Sequence, residues 1–307
     1  MKLLFFDDFK FGALKGNDTV VDLTAQVADI PRAQPQDVIR GVIEGWAKYK
    51  PILEAAVASG SGVPVTSVRL RSPLPKPANI ACMAVNYMEN GTRAEPAPIN
   101  AFGKSPLGII GDGDTMVLPD VAATIFEGEA EMGIVISKYA TNVPAAQWED
   151  YVFGYVNFID GSARGIGDWF KMKSRETFAP IGPFIVTKDE ITDPQNLAIQ
   201  LHVNGVLKQD FNTNDMAHKL PRCVEFVTSV HPMEAGDIIP TGTNHRGLNA
   251  FQDGDVVTLE IEALGKLTIN VKDELKRTWG RETRLQMMED KGVDGTTPQL
   301  TGKYAKS

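Results

Sequence analysis

Cysteine is nearly absent from this 307-residue sequence: only Cys82 and Cys223 occur, without CxxC spacing. Neither a disulfide framework nor a cysteine-built zinc site can organise the fold, so the two thiols read as small buried hydrophobes. Long apolar runs are missing as well. The N-terminus, Met-Lys-Leu-Leu-Phe-Phe-Asp-Asp, meets acid at once, and no later stretch approaches the roughly 18 apolar residues of a membrane span. A cytoplasmic protein with no membrane partner is expected. Dense Lys/Arg runs are also lacking and the formal net charge is -8, so the basic footprint that nucleic acid demands is not there.

What is present is the ordinary balance of a folded protein, with 43% hydrophobic and 23% charged residues. Lys2 to Asp7 and Thr19 to Leu23 read as short strands around a turn at Gly12. Helical spacing then takes over, with Val38, Ile39, Val42, Ile43 and Trp46 followed by Ile52, Leu53, Ala56 and Val57, which predicts two helices meeting at Pro51. The proline-rich connector Ser72-Pro-Leu-Pro-Lys-Pro77 suggests a small N-terminal α+β domain over 1–75, a larger domain over 76–280 and a C-terminal tail over 281–307. Roughly the last 15 residues of that tail should be surface-bound or mobile. Short β-rich runs dominate the larger domain, such as Met132 to Ile136, Ile185 to Thr187, Ala198 to Val203 and Val256 to Ile261. One helix is expected there, Ala145 to Val152 after Pro144. Helices are too few to alternate with strands, so the expected class is α+β and β-rich, a mixed β-sandwich or roll rather than a doubly wound parallel sheet.

The chemistry concentrates in Phe126-Glu-Gly-Glu-Ala-Glu-Met-Gly-Ile-Val-Ile-Ser-Lys138, where Glu127, Glu129 and Glu131 run into an apolar strand. Side chains at i and i+2 share a strand face, so the three carboxylates converge. An exposed acidic edge would look similar, but the run Met132 to Ile136 draws its neighbours toward the core. Buried like charges persist only when protonated or bound to a cation, and oxygen donors suit a hard divalent ion such as Mg²⁺, with Mn²⁺ or Ca²⁺ as alternatives. A further acid, Asp160, follows an aromatic-rich strand in Val156-Asn-Phe-Ile-Asp-Gly-Ser-Ala-Arg164; an Asp-Gly pair is also what a plain turn carries.

These segments, together with Lys173-Ser-Arg-Glu-Thr-Phe-Ala-Pro-Ile-Gly-Pro183, Val203-Asn-Gly205, Gly236-Asp-Ile-Ile239 and Thr241-Gly-Thr243, occur in an order that resembles the fumarylacetoacetate hydrolase family from about Pro75 to Val271. The resemblance implies a metal held by Glu129, Glu131 and Asp160, with Glu127 a neighbour, in a β-rich fold usually assembled as a homodimer. It also implies a small keto- or diketo-acid substrate of the kind met in aromatic catabolism. By family position Lys173 would reach a metal-bound water or the substrate oxygen, Arg164 would clamp a substrate carboxylate, and Lys104 would lie near the pocket. Thr243 would bind a carboxylate or carbonyl.

Two departures matter. After the Asn86-Tyr87 pair, hydrolytic members carry a His and a Glu that activate water, whereas Asn90 and Arg93 stand in those places here, and Gly167 replaces a glutamine. Asn90 can hold a water but cannot take its proton. Where a proline usually follows the threonine pair, Asn244-His245 appears instead, so His245, Glu89 or Lys173 becomes the candidate base. Of the remaining histidines, His202, His218 and His231, only His218 invites attention. The expected function is C–C bond hydrolysis of an acylpyruvate-like diketo acid. A metal-dependent isomerase, tautomerase, decarboxylase or hydratase of an unsaturated oxo-diacid, and a non-catalytic ligand binder, are the alternatives.

Overall fold

A computed structural model describes residues 1–305 and shows a strand-rich α+β protein, as the sequence leads one to expect. Ten strands form the larger sheet. Its main path runs through Ile238–Pro240, Phe126–Ile136, Val152–Ala163, Ala179–Thr187, Lys2–Phe6, Lys10–Lys15 and Thr19–Asp22 to Val63–Pro64. The N-terminal strands thus continue the sheet that carries the carboxylates, through the antiparallel pairing of Lys2 with Val186 and Leu3 with Ile185. A five-stranded sheet, in the order Val206–Asn212, Ala198–Val203, Val256–Ile261, Gly265–Lys272 and Thr115–Val117, packs against one face. Most neighbours are antiparallel, which fits the short connections and the scarcity of crossover helices.

The strand Phe126–Ile136 is buried along its whole length, and its alternation sorts the side chains between two cores. Ala130, Met132, Ile134 and Ile136 join Leu201, Leu259 and Leu267 between the two sheets. Val135 instead joins Val156, Phe158 and the helical residues Val38, Ile39 and Leu53 on the opposite face. Glu127, Glu129 and Glu131 share the parity of Val135, so they face this second side.

The two N-terminal helices are Pro35–Glu44 and Trp46–Ser59, and they meet at Gly45 rather than at Pro51, which lies inside the second helix. A Cβ at Gly45 would sit 2.8 Å from the Tyr49 ring and 3.1 Å from the Gly41 carbonyl oxygen, so close packing favours glycine at the junction. Pro51 is the sixth residue of that helix, past the first turn, so its missing N–H leaves the Ala47 carbonyl without its usual i+4 donor. The segment expected as a helix after Pro144 is a 3₁₀ helix, Ala145–Tyr151. A helix that the sequence reading passed over, Leu220–Val230, buries Leu220, Cys223, Val224 and Val227 at helical spacing. Cys82 and Cys223 are both buried and unpaired, as small hydrophobes would be.

The C-terminal segment lies along the body: Gln299–Thr301 pairs with Thr278–Trp279, and Lys303 and Tyr304 bond to Asp120. Residues 306 and 307 of the expected tail lie outside the described residues. No helix among the described residues is long and apolar enough to cross a membrane.

Gly128, between two of the glutamates, faces the inter-sheet core, where an added Cβ would meet the Phe251 ring at 2.3 Å and Ile159 at 2.9 Å. Gly128→Val should therefore destabilise the fold by about 1–3 kcal/mol or more through overpacking. A urea melt checks this; an unchanged midpoint would mean that Phe251 does not wall the carboxylate strand.

Candidate metal and catalytic site

Antiparallel pairing builds the site. Glu129 lies directly opposite Asp160 across the Phe126–Ile136 and Val152–Ala163 strands, and Glu131 follows two residues on along the same face. One carboxylate oxygen from each of Glu129, Glu131 and Asp160 falls within 4.8 Å of the others, and all three residues are buried. Glu127 is separated from this trio by its own partners. Arg164 Nε donates to it at 2.9 Å and Arg284 Nη2 at 2.5 Å, which ties the C-terminal helix Arg284–Lys291 to the carboxylate strand. Arg164 also bonds Glu129, so in this structure its fork is occupied by protein carboxylates.

Two buried lysines answer the negative charge. Lys173, at the end of the short helix Trp169–Lys173, donates to Glu129 at 2.7 Å and to Asp160 at 2.5 Å. Lys104 donates to the other Asp160 oxygen at 2.6 Å, to the Gly161 carbonyl at 3.0 Å and to the Lys173 carbonyl. Neither lysine bonds Glu131. Its Oε2 accepts the Gly242 backbone N–H at 2.7 Å, and its Oε1 is buried without a partner. The electrostatics divide accordingly. Burial, with the Asp160 and Glu129 charges added, pushes Glu131 well above the usual carboxylate range. Glu129 is held well below it: burial opposes ionisation, but the Lys173 and Arg164 charges outweigh that cost.

An orphaned buried oxygen within an all-oxygen cluster is what a hard divalent cation would satisfy. The residues present fit such an ion, with Glu129, Glu131 and Asp160 as its ligands.

His245 and Glu89 meet at the rim. His245 Nδ1 lies 2.8 Å from Glu89 Oε1, and the His245 backbone N–H donates to Glu89 Oε2 at 2.8 Å. Although burial raises the Glu89 pKa, the hydrogen bonds and charge of His245 bring it below its ordinary value. Glu89 adopts φ 58° and Val85 φ 51°, conformations costly for side chains of their type, and both line the same cavity of about 270 Å³ with His245. His245 also lies close enough for its charge to depress Glu129. A larger cavity of about 410 Å³ lies elsewhere, between Arg40, Lys76 and Glu234.

Asn90 is exposed on the turn beyond Glu89, with its backbone N–H bonded to Asp215, and it does not line the cavity. Thr243 is buried, and its Oγ1 accepts from Gln209 Nε2 at 2.8 Å. That glutamine, which the sequence did not point to, also bonds Ala130 N–H and the Asn244 carbonyl, joining the five-stranded sheet to the carboxylate strand and the threonine loop. His218 links its loop to a distant segment, with Nε2 2.8 Å from the Ala97 carbonyl.

A model of the fumarylacetoacetate (FAA) hydrolase C-terminal domain matches residues 79–272. The chain belongs to the fumarylacetoacetate hydrolase family. It is 30% identical to the maleylpyruvate hydrolase of Aquipseudomonas alcaligenes over 89% of this chain and 99% of that one. It is 33% identical to the oxaloacetate tautomerase YisK of Bacillus subtilis, over 66% of this chain and 73% of that one. Among solved structures, the maleylpyruvate hydrolase of Sphingobium sp. SYK-6 in complex with manganese(II) and pyruvate superposes with a TM-score of 0.81 at 31% identity, over 89% of this chain and 99% of that one.

Because Glu131 resists ionisation, Mn²⁺ should displace a proton on binding, so affinity is expected to rise with pH. Calorimetric titrations in buffers of different ionisation enthalpy would show the proton release. At about 100 times Kd the ion should stabilise the fold by about 2.7 kcal/mol, and Asp160→Asn should abolish most of that shift.

Proposed function

We propose that the protein is a divalent-metal-dependent hydrolase that cleaves a C–C bond in an acylpyruvate-like diketo acid. The observation that carries this reading is the Glu89–His245 pair at the rim of the buried carboxylate cluster. It restores a histidine–carboxylate couple although the family's usual positions hold Asn90 and Arg93. Similarity over almost the whole chain to two maleylpyruvate hydrolases supports it.

A bound Mg²⁺ or Mn²⁺ would supply a Lewis acid that polarises the substrate's 2-oxo end. Glu89 accepts a hydrogen bond from His245 Nδ1–H, which keeps that proton on the ring and leaves Nε2 free to take one from water. The water oxygen adds to the distal ketone carbon, and the bond from that carbon to the neighbouring CH₂ breaks. One fragment leaves as a carboxylic acid and the other as the enolate of pyruvate. His245 returns its proton to the enolate carbon, and the buried Lys173 ammonium offsets the developing negative charge. Gln209 fixes Thr243 and the backbone of the threonine loop beside Glu131, which steadies the wall of the site.

The second reading, a tautomerase or isomerase, needs the same metal and the same proton carrier without water. It is favoured by the likeness to an oxaloacetate tautomerase. Incubation of the Mn²⁺-loaded protein with an acylpyruvate should consume the diketone absorbance and release pyruvate, and EDTA should stop it. His245→Ala should lower kcat by roughly 10²–10⁴. Metal-dependent isomerisation of an oxo-acid without pyruvate release would favour the second reading. A rate within about threefold of wild type in His245→Ala, far short of the loss expected of a general base, would remove His245 from the chemistry.

A further inference from the structure

We propose that Asp215 is a positioning residue for the Glu89–His245 pair, and that the strand Val206–Asn212 just before it sets both halves of that pair. The proposal deepens the functional reading above and rests on it for the role of the pair.

Glu89 reaches His245 from a backbone conformation that does not suit it. Glu89 and Asn90 have φ 58° and 55°, and Gly91 follows at 80°, so three consecutive residues lie in the left-handed region. Glycine enters that region freely and asparagine tolerates it, but a glutamate has to be held there. The peptide unit between Glu89 and Asn90 is gripped at both ends. Its carbonyl accepts Thr92 N–H at 3.2 Å and Thr92 Oγ1 at 2.8 Å, both from within the turn. Its N–H donates to the Asp215 carboxylate at 2.9 Å, from a residue 125 positions away. The Asp215 carbonyl accepts Met88 N–H at 3.0 Å, so this one residue fastens the chain on either side of Glu89. Asp215 does not line the cavity beside His245, and its influence on the pair passes through the backbone of Glu89.

The anchor behind Asp215 is built into the five-stranded sheet. Asp215 ends the short 3₁₀ helix Thr213–Asp215, which Asn212 caps by accepting Asn214 N–H at 2.8 Å. Thr213 is buried; its Oγ1 accepts Leu197 N–H at 2.8 Å and donates to the Pro194 carbonyl at 3.0 Å. Earlier on the same edge strand, Gln209 donates to Thr243 Oγ1 at 2.8 Å and to the Asn244 carbonyl at 2.7 Å, which holds the loop that carries His245. One strand therefore fixes the histidine through Gln209 and its carboxylate partner through Asp215. That shared support is how two residues 156 positions apart come to meet at 2.8 Å.

The test reads the hydrogen bond itself as well as the rate. Protein labelled with ¹⁵N-histidine and supplied with Mg²⁺ is followed by NMR at a pH where the His245 ring is neutral, and His245→Ala assigns its signal among the four histidines. In wild type the ring should hold one tautomer, with its proton on Nδ1. Asp215→Ala should give a mixture of tautomers, and kcat on an acylpyruvate should fall roughly tenfold, the rate equivalent of one ordinary hydrogen bond, with KM kept within about twofold. Asp215→Asn retains an acceptor oxygen for Asn90 N–H and should restore most of both. Asn214→Ala, exposed on the same 3₁₀ helix, should resemble wild type, and thermal melts check that each variant is folded. An unchanged tautomer in Asp215→Ala, no recovery in Asp215→Asn, or an equal loss in Asn214→Ala would overturn the positioning role. A wild type without a preferred His245 tautomer would overturn the pair and the positioning role together. A wild type that shows the tautomer but cleaves no acylpyruvate would sink the hydrolytic reading and leave the positioning role standing.

Discussion

The structure depends on carboxylates placed side by side in its interior. Strand alternation puts Glu127, Glu129 and Glu131 on one face, and antiparallel pairing sets Asp160 opposite Glu129. Left alone, such a cluster would be protonated or would not be buried at all. Each carboxylate has a different answer. Glu127 is held by two arginines, Glu129 and Asp160 by Lys173, Asp160 also by Lys104, and Glu131 by a single backbone N–H. That unequal treatment leaves Glu131 as the position with unspent capacity for a cation.

Distant parts of the chain meet there. The C-terminal helix contributes Arg284, the segment just after the short strand Ala101–Gly103 contributes Lys104, and the loop after Ile238–Pro240 contributes Gly242 and His245. Gln209 reaches from the second sheet to the threonine loop, so the two sheets are joined by polar bonds at the site as well as by apolar packing. Removing either sheet would unseat the carboxylates, because the inter-sheet core fixes the strand that bears them.

The class of fold was legible because periodicity is a local property. Ala198–Val203 and Val256–Ile261 alternate cleanly and occur as expected. The carboxylate trio was legible because i, i+2 spacing is also local, and the ordered motifs supplied Asp160. The helix junction was misread since Pro51 is the louder signal in the sequence, whereas the contact that favours glycine at position 45 involves the Tyr49 ring. Leu220–Val230 carried its helical spacing openly, yet the surrounding β-rich text obscured it. The Glu89–His245 pair joins residues 156 positions apart, and no spacing rule connects them. Gln209 was silent for the same reason: a glutamine on a strand becomes informative only when its amide is seen between Ala130 and Thr243.

We propose that the buried trio of Glu129, Glu131 and Asp160 is a metal centre. Crystals grown with Mn²⁺ and measured at a wavelength where manganese scatters anomalously would test it most directly. One strong anomalous peak is expected within about 2.0–2.3 Å of oxygens from Glu129, Glu131 and Asp160. A map with no peak there, or with manganese bound only elsewhere on the protein, would contradict it.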